Sequence, residues 1–318
     1  MGTLWPVSAL TLGGGGIGQL WGPTSRAEAV ATVRAAVDAG ITLLDLAPLY
    51  GEGEAERVVG EAFAGRLPAG VRVTTKVHLG NPPAADFERR VRESLVQSLR
   101  DMRLERIDLF FLHSMLAPDG YSFPDAPATR PPTWWATYVE HLRPVLVKLQ
   151  QEGTIGAWGL NGIGLPAPII RAVAEDPAPS ALLCITNLLD SPGGLQRYRE
   201  PPTPRAVIAA ANARRVGVLG VRAVQAGALT DALDRPLPAA HPEMRDYRRA
   251  APFRALARDL GHTPAALAHR YALSMTGVDT VVLGVKNRAE LAECVAAEAA
   301  GPLDPQVIAR IDRSATAA

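Results

Sequence analysis

The sequence predicts an α/β protein built as a single (β/α)8 (TIM) barrel over residues 1–318. Strand-like and helix-like segments alternate eight times along the chain. The strand segments are short, nearly continuous apolar runs, as expected of parallel strands buried on both faces. The longest connections follow the fourth, sixth and seventh strands, on the face where barrel chemistry sits. Eight such units favour a closed barrel over an open doubly wound sheet. No domain boundary, internal repeat or linker interrupts them.

The first strand is Val7 to Leu12, leading into Gly13-Gly-Gly-Gly-Ile-Gly18. This run contains G-x-G-x-x-G, the dinucleotide fingerprint of an open sheet, but that fingerprint needs a helix opening at the last glycine. Here Gln-Leu-Trp-Gly-Pro intervenes, and the helix start falls later, at the capping pattern Ser25-Arg-Ala-Glu28. The glycines are expected instead to let backbone approach a ligand closely. A helix over Arg26–Ala39 precedes the second strand, Ile41–Leu44, and Glu54–Ala64 precedes the third, Val71–Lys76. The amphipathic helix Asp86–Asp101 leads to the fourth strand, Ile107–His113. After a Pro- and aromatic-rich segment, Ser114–Thr133, come a helix at Trp134–Gln151 and strand five at Ile155–Leu160. Helix Pro166–Ala174 and strand Ala181–Thr186 follow, then helix Thr203–Ala213 and strand Val216–Val221. Helical pieces Met244–Leu260 and Pro264–Met275 lead to the eighth strand, Thr280–Leu283. The helices Arg288–Ala299 and Pro305–Arg313 close the chain.

With 33 basic against 32 acidic residues, the charge balance offers no electrostatic case for nucleic acid or a membrane surface as partner. Two cysteines, Cys184 and Cys294, imply no disulfide framework and suit a reducing cytoplasm. No apolar run approaches membrane-spanning length, and no metal-ligand spacing stands out. The expected partner is a small molecule, and the sequence leaves the oligomeric state open.

Three successive strands end in an acid, a lysine and a histidine: Asp45, Lys76 and His113, with Tyr50 five residues past the first. In a barrel these strand ends share one mouth. A carboxylate is costly to bury unless a cation meets it, so Asp45 asks for Lys76. A lysine ammonium beside a phenol is expected to lower its proton affinity, making Tyr50 a tuned proton donor, while His113 donates to a substrate oxygen. Singly, each residue has a bland reading as a structural ion pair, a core histidine or a roofing aromatic. Together, on consecutive strands, they point to reduction of a carbonyl.

From Val7 onward the chain resembles the aldo-keto reductase superfamily, NAD(P)-dependent (β/α)8 barrels. Asp45 and Tyr50 in Asp-Leu-Ala-Pro-Leu-Tyr-Gly, Lys76 in Thr-Thr-Lys and His113 in Phe-Leu-His-Ser match that family's catalytic tetrad in order and spacing. The resemblance implies Tyr50 as general acid, Lys76 as its activator, Asp45 as support for Lys76 and His113 as orienter of the carbonyl. Only six residues precede Val7, leaving little room for the family's opening hairpin. For the cofactor, it points to Gly14, Gly15 and Asp45, and to Asn161 in Gly-Leu-Asn-Gly, where the family usually has Ser-Asn. Val221 and Arg222 stand where an aromatic usually stacks on the nicotinamide. Gly284, Lys286 and Arg288 resemble the turn at the adenosine phosphate. NADP(H) is favoured by Lys286, with NAD(H) as an alternative because Glu290 stands where several members place a second arginine. A pocket wall is expected from Trp21, Tyr50, His113, Tyr121 and Trp134, beside Trp135. Two rival readings are a lyase or aldolase using Lys76 as a Schiff-base nucleophile and a non-catalytic NADP(H)-sensing barrel.

Overall fold

The computed structural model describes residues 1–124, 130–233 and 235–316. Residues 125–129, inside the expected loop after the fourth strand, and residue 234 lie outside the described residues. Eight parallel strands close on themselves in chain order, the last pairing with the first. They are β1 (Leu10–Gly13), β2 (Leu43–Asp45), β3 (Arg72–Val77), β4 (Ile107–Leu112), β5 (Ile155–Asn161), β6 (Ala181–Ile185), β7 (Gly217–Val221) and β8 (Thr280–Leu283). The predicted closed barrel is therefore the observed one. At the closing seam Leu10 sits opposite Val281, and the Thr11 and Thr280 hydroxyls lie 2.7 Å apart.

Side chains alternate between two cores, as the strand period of two requires. Leu44, Phe110, Leu112, Trp158 and Leu160 face outward into the layer beneath the helices. Leu43, Leu109, Phe111, Ala157 and Leu219 face inward and fill the barrel. Phe111 fits because β5 offers Gly159, where a Cβ would run into its ring. Met1, Leu4, Trp5 and Val7 pack against this inner layer. Trp5 lies 4.4 Å from the guanidinium of Arg72, which opens β3, so this segment sits at the strands' N-terminal end. Two residues beyond Leu43 is Asp45, and two beyond Phe111 is His113. The interior thus turns polar one layer above its apolar floor.

Several boundaries differ from the sequence reading. Gly14–Ile17 forms one helical turn rather than an open loop, with Gly18 N donating to Gly14 O at 2.8 Å. Its glycines admit the chain's own backbone: a Cβ on Gly16 would collide with the Val285 carbonyl, and one on Gly13 with that of Leu283. The expected helix Trp134–Gln151 is broken. Thr133–Trp134 pairs with Leu116–Ala117, a π turn spans Tyr138–Leu142, and the regular helix is Arg143–Gln151. Pro144 has no N–H for the ladder, which widens just ahead of it. Pro252 likewise divides Met244–Leu260 into Pro242–Arg249 and Ala251–Asp259. No described helix is long and apolar enough to cross a membrane.

Candidate active site

Register places the first two residues together. Asp45 is the cross-strand partner of Thr74, and Lys76 follows two residues on, facing the same side. The Thr74 hydroxyl donates to Asp45 Oδ1 at 2.6 Å, and Lys76 Nζ donates to the same oxygen at 2.8 Å. The ammonium also donates to the Leu46 carbonyl at 2.6 Å. Asp45 and Lys76 are 2% and 1% exposed, so this is a buried, hydrogen-bonded ion pair. Burial works against the lysine's charge, but Asp45 and Tyr50 together more than offset it and the ammonium's pKa lies above its ordinary value.

Past β2 the chain turns at Ala47–Tyr50, with Tyr50 N donating to Ala47 O at 3.0 Å. This turn lays the Tyr50 ring over the ammonium, with Lys76 Nζ 4.8 Å from the ring centroid. His113 meets the ring edge-on, with centroids 5.9 Å apart and planes at 90°. Burial raises the Tyr50 phenol above its usual value, and Lys76 offsets only part of that rise. This reverses the sequence-based direction, which weighed the lysine without the desolvation. His113 is pushed well below the ordinary imidazole range by burial, then by Lys76, His78 and Arg130, so it is neutral at physiological pH. Its Nδ1 is buried without a hydrogen-bond partner among the described residues.

These residues open onto a cavity of about 580 Å³ that runs from His113 and Tyr50 to the loops after β7 and β8. Gly14, Gly15, Trp21, Asp45, Asn161, Val221, Arg222, Gly284 and Lys286 all line it. Asn161 is partly engaged: its Nδ2 donates to the His113 carbonyl at 3.1 Å and its Oδ1 accepts from Ile163 N at 3.0 Å. Arg222 pairs with Glu243 at 3.0 Å. Lys286 Nζ lies 3.4 Å from Glu290 Oε1, while Glu290 Oε2 accepts from the Lys286 backbone N–H at 2.8 Å. Asn287 caps the helix Arg288–Ala299, while the Glu290 side chain braces the turn ahead of it and also draws on the lysine's charge.

Three expected site residues lie elsewhere. Tyr121 points away from the cavity, its hydroxyl donating to Glu200 at 2.5 Å. Trp134 packs in a separate apolar cluster with Ala117, Leu165 and Tyr198, because its segment pairs with Leu116–Ala117. Arg288 is held by Glu28, at 2.9 Å from Nη2 and 3.1 Å from Nε, outside the cavity. The neighbouring Trp135 instead lies beneath Arg171, 4.3 Å from its guanidinium.

Sequence reasoning passed over Thr74, His78, Arg130, Arg197 and Arg235. Two of these had a signal. Thr74 and His78 flank Lys76 at a spacing of two and so share its face. The other three come from long loops, where no period locates a side chain.

Residues 9–316 match the Aldo/keto reductase family. The chain is 26% identical over 298 residues to the L-galactose dehydrogenase of Arabidopsis thaliana, covering 92% of this chain and 84% of that protein. Its fold resembles the glycerol dehydrogenase of Gluconobacter oxydans, with TM-score 0.71 and 24% identity over 98% of this chain and 93% of the other. An aldo-keto reductase from Klebsiella pneumoniae in complex with NADPH matches with TM-score 0.66 and 21% identity, over 96% and 90% of the two chains. The family match over nearly the whole chain, on a closed eight-stranded parallel barrel, makes this protein a member of the aldo-keto reductases, a family of oxidoreductases.

Proposed function

We propose that the protein interconverts an aldehyde or ketone and its alcohol with a nicotinamide cofactor, Tyr50 giving or taking the proton at oxygen. The observation that supports this most is the stack of Asp45, Lys76 and Tyr50 in the cavity wall, with His113 edge-on beside it. A bound dinucleotide supplies or accepts the hydride at carbon. The protein's own groups handle the oxygen. A phenol kept protonated by burial is ready to donate, and Lys76, fixed by Asp45, stabilises the phenolate left behind. Neutral His113 offers an N–H to the same substrate oxygen.

The cavity suits a dinucleotide in size and lining. A Cβ at Gly284 would meet only Trp21, at 3.3 Å, so the backbone there leaves a shallow floor. Gly14, Gly15 and Gly284 would let the dinucleotide lie close to backbone, with Asn161, Val221 and Arg222 nearer the tetrad and Lys286 toward the phosphate end. Lys286 favours NADP(H), and its pairing with Glu290 leaves room for NAD(H) as well. An NADPH-bound relative agrees with the first choice. Relatives named for L-galactose and glycerol oxidation make the oxidative direction part of the proposal.

A Schiff-base role for Lys76 fits less well. Its side chain is fully buried, held as an ammonium, and donates to Asp45 and Leu46, so no lone pair is offered to a substrate. The test is absorbance of NADPH and NADH against panels of carbonyls, polyols and aldoses, on wild type and Tyr50→Phe. Removing the hydroxyl should cut turnover by about 10² to 10⁴ while cofactor still binds. Near-normal turnover in a folded Tyr50→Phe would overturn the assignment, and cofactor binding without any turnover would favour a sensor.

A further inference from the structure

The two ends of the cavity differ in charge. At the β7 and β8 end each cation has company: Arg222 pairs with Glu243 at 3.0 Å, Lys286 with Glu290 at 3.4 Å, and Arg235 lies 5.7 Å from the Trp21 ring. Across the barrel, above β3 and β4, the lining carries His78, Arg130 and Arg197. Arg130 is exposed, at the rim of the loop after β4, and Arg197 is half-buried in the loop after β6. All three line the same cavity, and the pKa of His78 is lowered by burial, then by the charges of Arg130 and Arg197. No carboxylate among the described residues pairs with either arginine. The acids of the cavity lining are engaged elsewhere: Asp45 holds Lys76, Glu290 pairs with Lys286, and Glu293 accepts from the Thr263 hydroxyl. Two guanidinium groups lining one cavity, with no carboxylate partner among the described residues, concentrate positive charge on that side.

Resting on the proposed carbonyl chemistry, we infer that the substrate carries an oxyanion, a carboxylate or phosphate, received by Arg130 and Arg197 while its carbonyl sits at Tyr50 and His113. The guanidinium fork suits such a group, and neutral His78 adds an uncharged donor. The arrangement separates duties. The paired cations at β7 and β8 face the cofactor, and Arg130 and Arg197, which pair with no carboxylate among the described residues, face the substrate.

The probes are 4-formylbenzoate against its methyl ester, and glyceraldehyde 3-phosphate against glyceraldehyde. One charge-assisted contact is worth roughly a tenfold to hundredfold preference. The expected result is kcat/KM at least about tenfold higher for one anionic probe than for its neutral counterpart, an advantage that shrinks at high salt. In Arg130→Gln/Arg197→Gln that ratio should collapse toward one, mainly through KM. A neutral probe equal to or better than both anions, or a ratio unmoved by the double substitution, overturns the inference. Calorimetric titration of the NADP⁺-loaded protein with 4-(hydroxymethyl)benzoate and its methyl ester reads selection without turnover. Tighter binding of the acid with no turnover of any carbonyl would sink the proposed function and leave the oxyanion site standing. Equal binding of acid and ester, with turnover intact, would do the reverse.

Discussion

Asp45 accepts from both Thr74 and Lys76, so its replacement tests the stack at its base. Asp45→Asn leaves a buried ammonium without its counter-charge, a loss of about 3–5 kcal/mol that should show as a lower denaturation midpoint. Burial lowers the pKa of Lys76 and Asp45 is the largest of the groups that raise it, so the substitution brings that pKa down. The raised value contributes stability that is present below the unfolded lysine pKa and lost as pH rises through the folded one. The alkaline limb of turnover should therefore move to lower pH in Asp45→Asn; an unmoved limb would make Asp45 structural only. The histidines have the opposite sign. His113 and His269 are both lowered by burial and stay neutral when folded, whereas the unfolded chain protonates near pH 6.5. Stability should fall as pH drops below about 6.5, by up to roughly 1.4 kcal/mol per pH unit for each. Urea midpoints flat between pH 7.5 and 5.5 would contradict this. The four residues of the stack were legible because each ends or follows an apolar strand, where a polar side chain must be explained. The direction of the Tyr50 shift was not, since it depends on a depth of burial that spacing does not encode.

At the scale of elements, strand and helix cores followed from apolar periodicity, and the errors gather where a proline or glycine acts at a distance. Pro144 widened a turn ahead of itself, and the glycine run folded into a turn pressed on β8. Loop side chains were the least legible. Tyr121 and Trp134 were expected in the pocket because aromatic residues in a long loop suggest a wall, yet Glu200 and a satellite cluster claim them. One helix end carries a removable cost. The helix Glu54–Phe63, which begins just past Tyr50, ends at Ala64 with φ +50°, a left-handed conformation that favours glycine. Ala64 is exposed and does not line the cavity. Ala64→Gly should stabilise by about 0.5–1 kcal/mol, read as a higher urea midpoint at unchanged slope, with activity retained. A lower midpoint would mean that the extra freedom of the unfolded chain outweighs the relieved strain.

For the whole molecule, barrel closure brings the first and last units together. Gly13 and Gly16 abut the backbone of Leu283 and Val285, and Trp21 lies over both Gly15 and Gly284. The proposed cofactor site thus straddles the seam between β1 and β8, and a ligand there bridges segments some 270 residues apart in the 318-residue chain. A ligand that binds only the folded state stabilises it by about 2.7 kcal/mol at a hundredfold excess over Kd. NADP⁺ and NAD⁺ should therefore both raise the melting temperature, NADP⁺ more at equal concentration. The difference is assigned to Lys286, whose ammonium lines the cavity, and not to Arg288, which is bound to Glu28 on the neighbouring helix Arg26–Asp38. Lys286→Ala should shrink the NADP⁺ shift and leave the NAD⁺ shift nearly as it was. Glu290→Gln, by removing one negative charge from beside the lysine, should widen the gap between the two cofactors. Arg288→Ala should leave that gap in place, since it removes only an exposed contact outside the cavity. Equal losses for both cofactors in Lys286→Ala, or a gap abolished by Arg288→Ala, would move 2′-phosphate recognition away from Lys286.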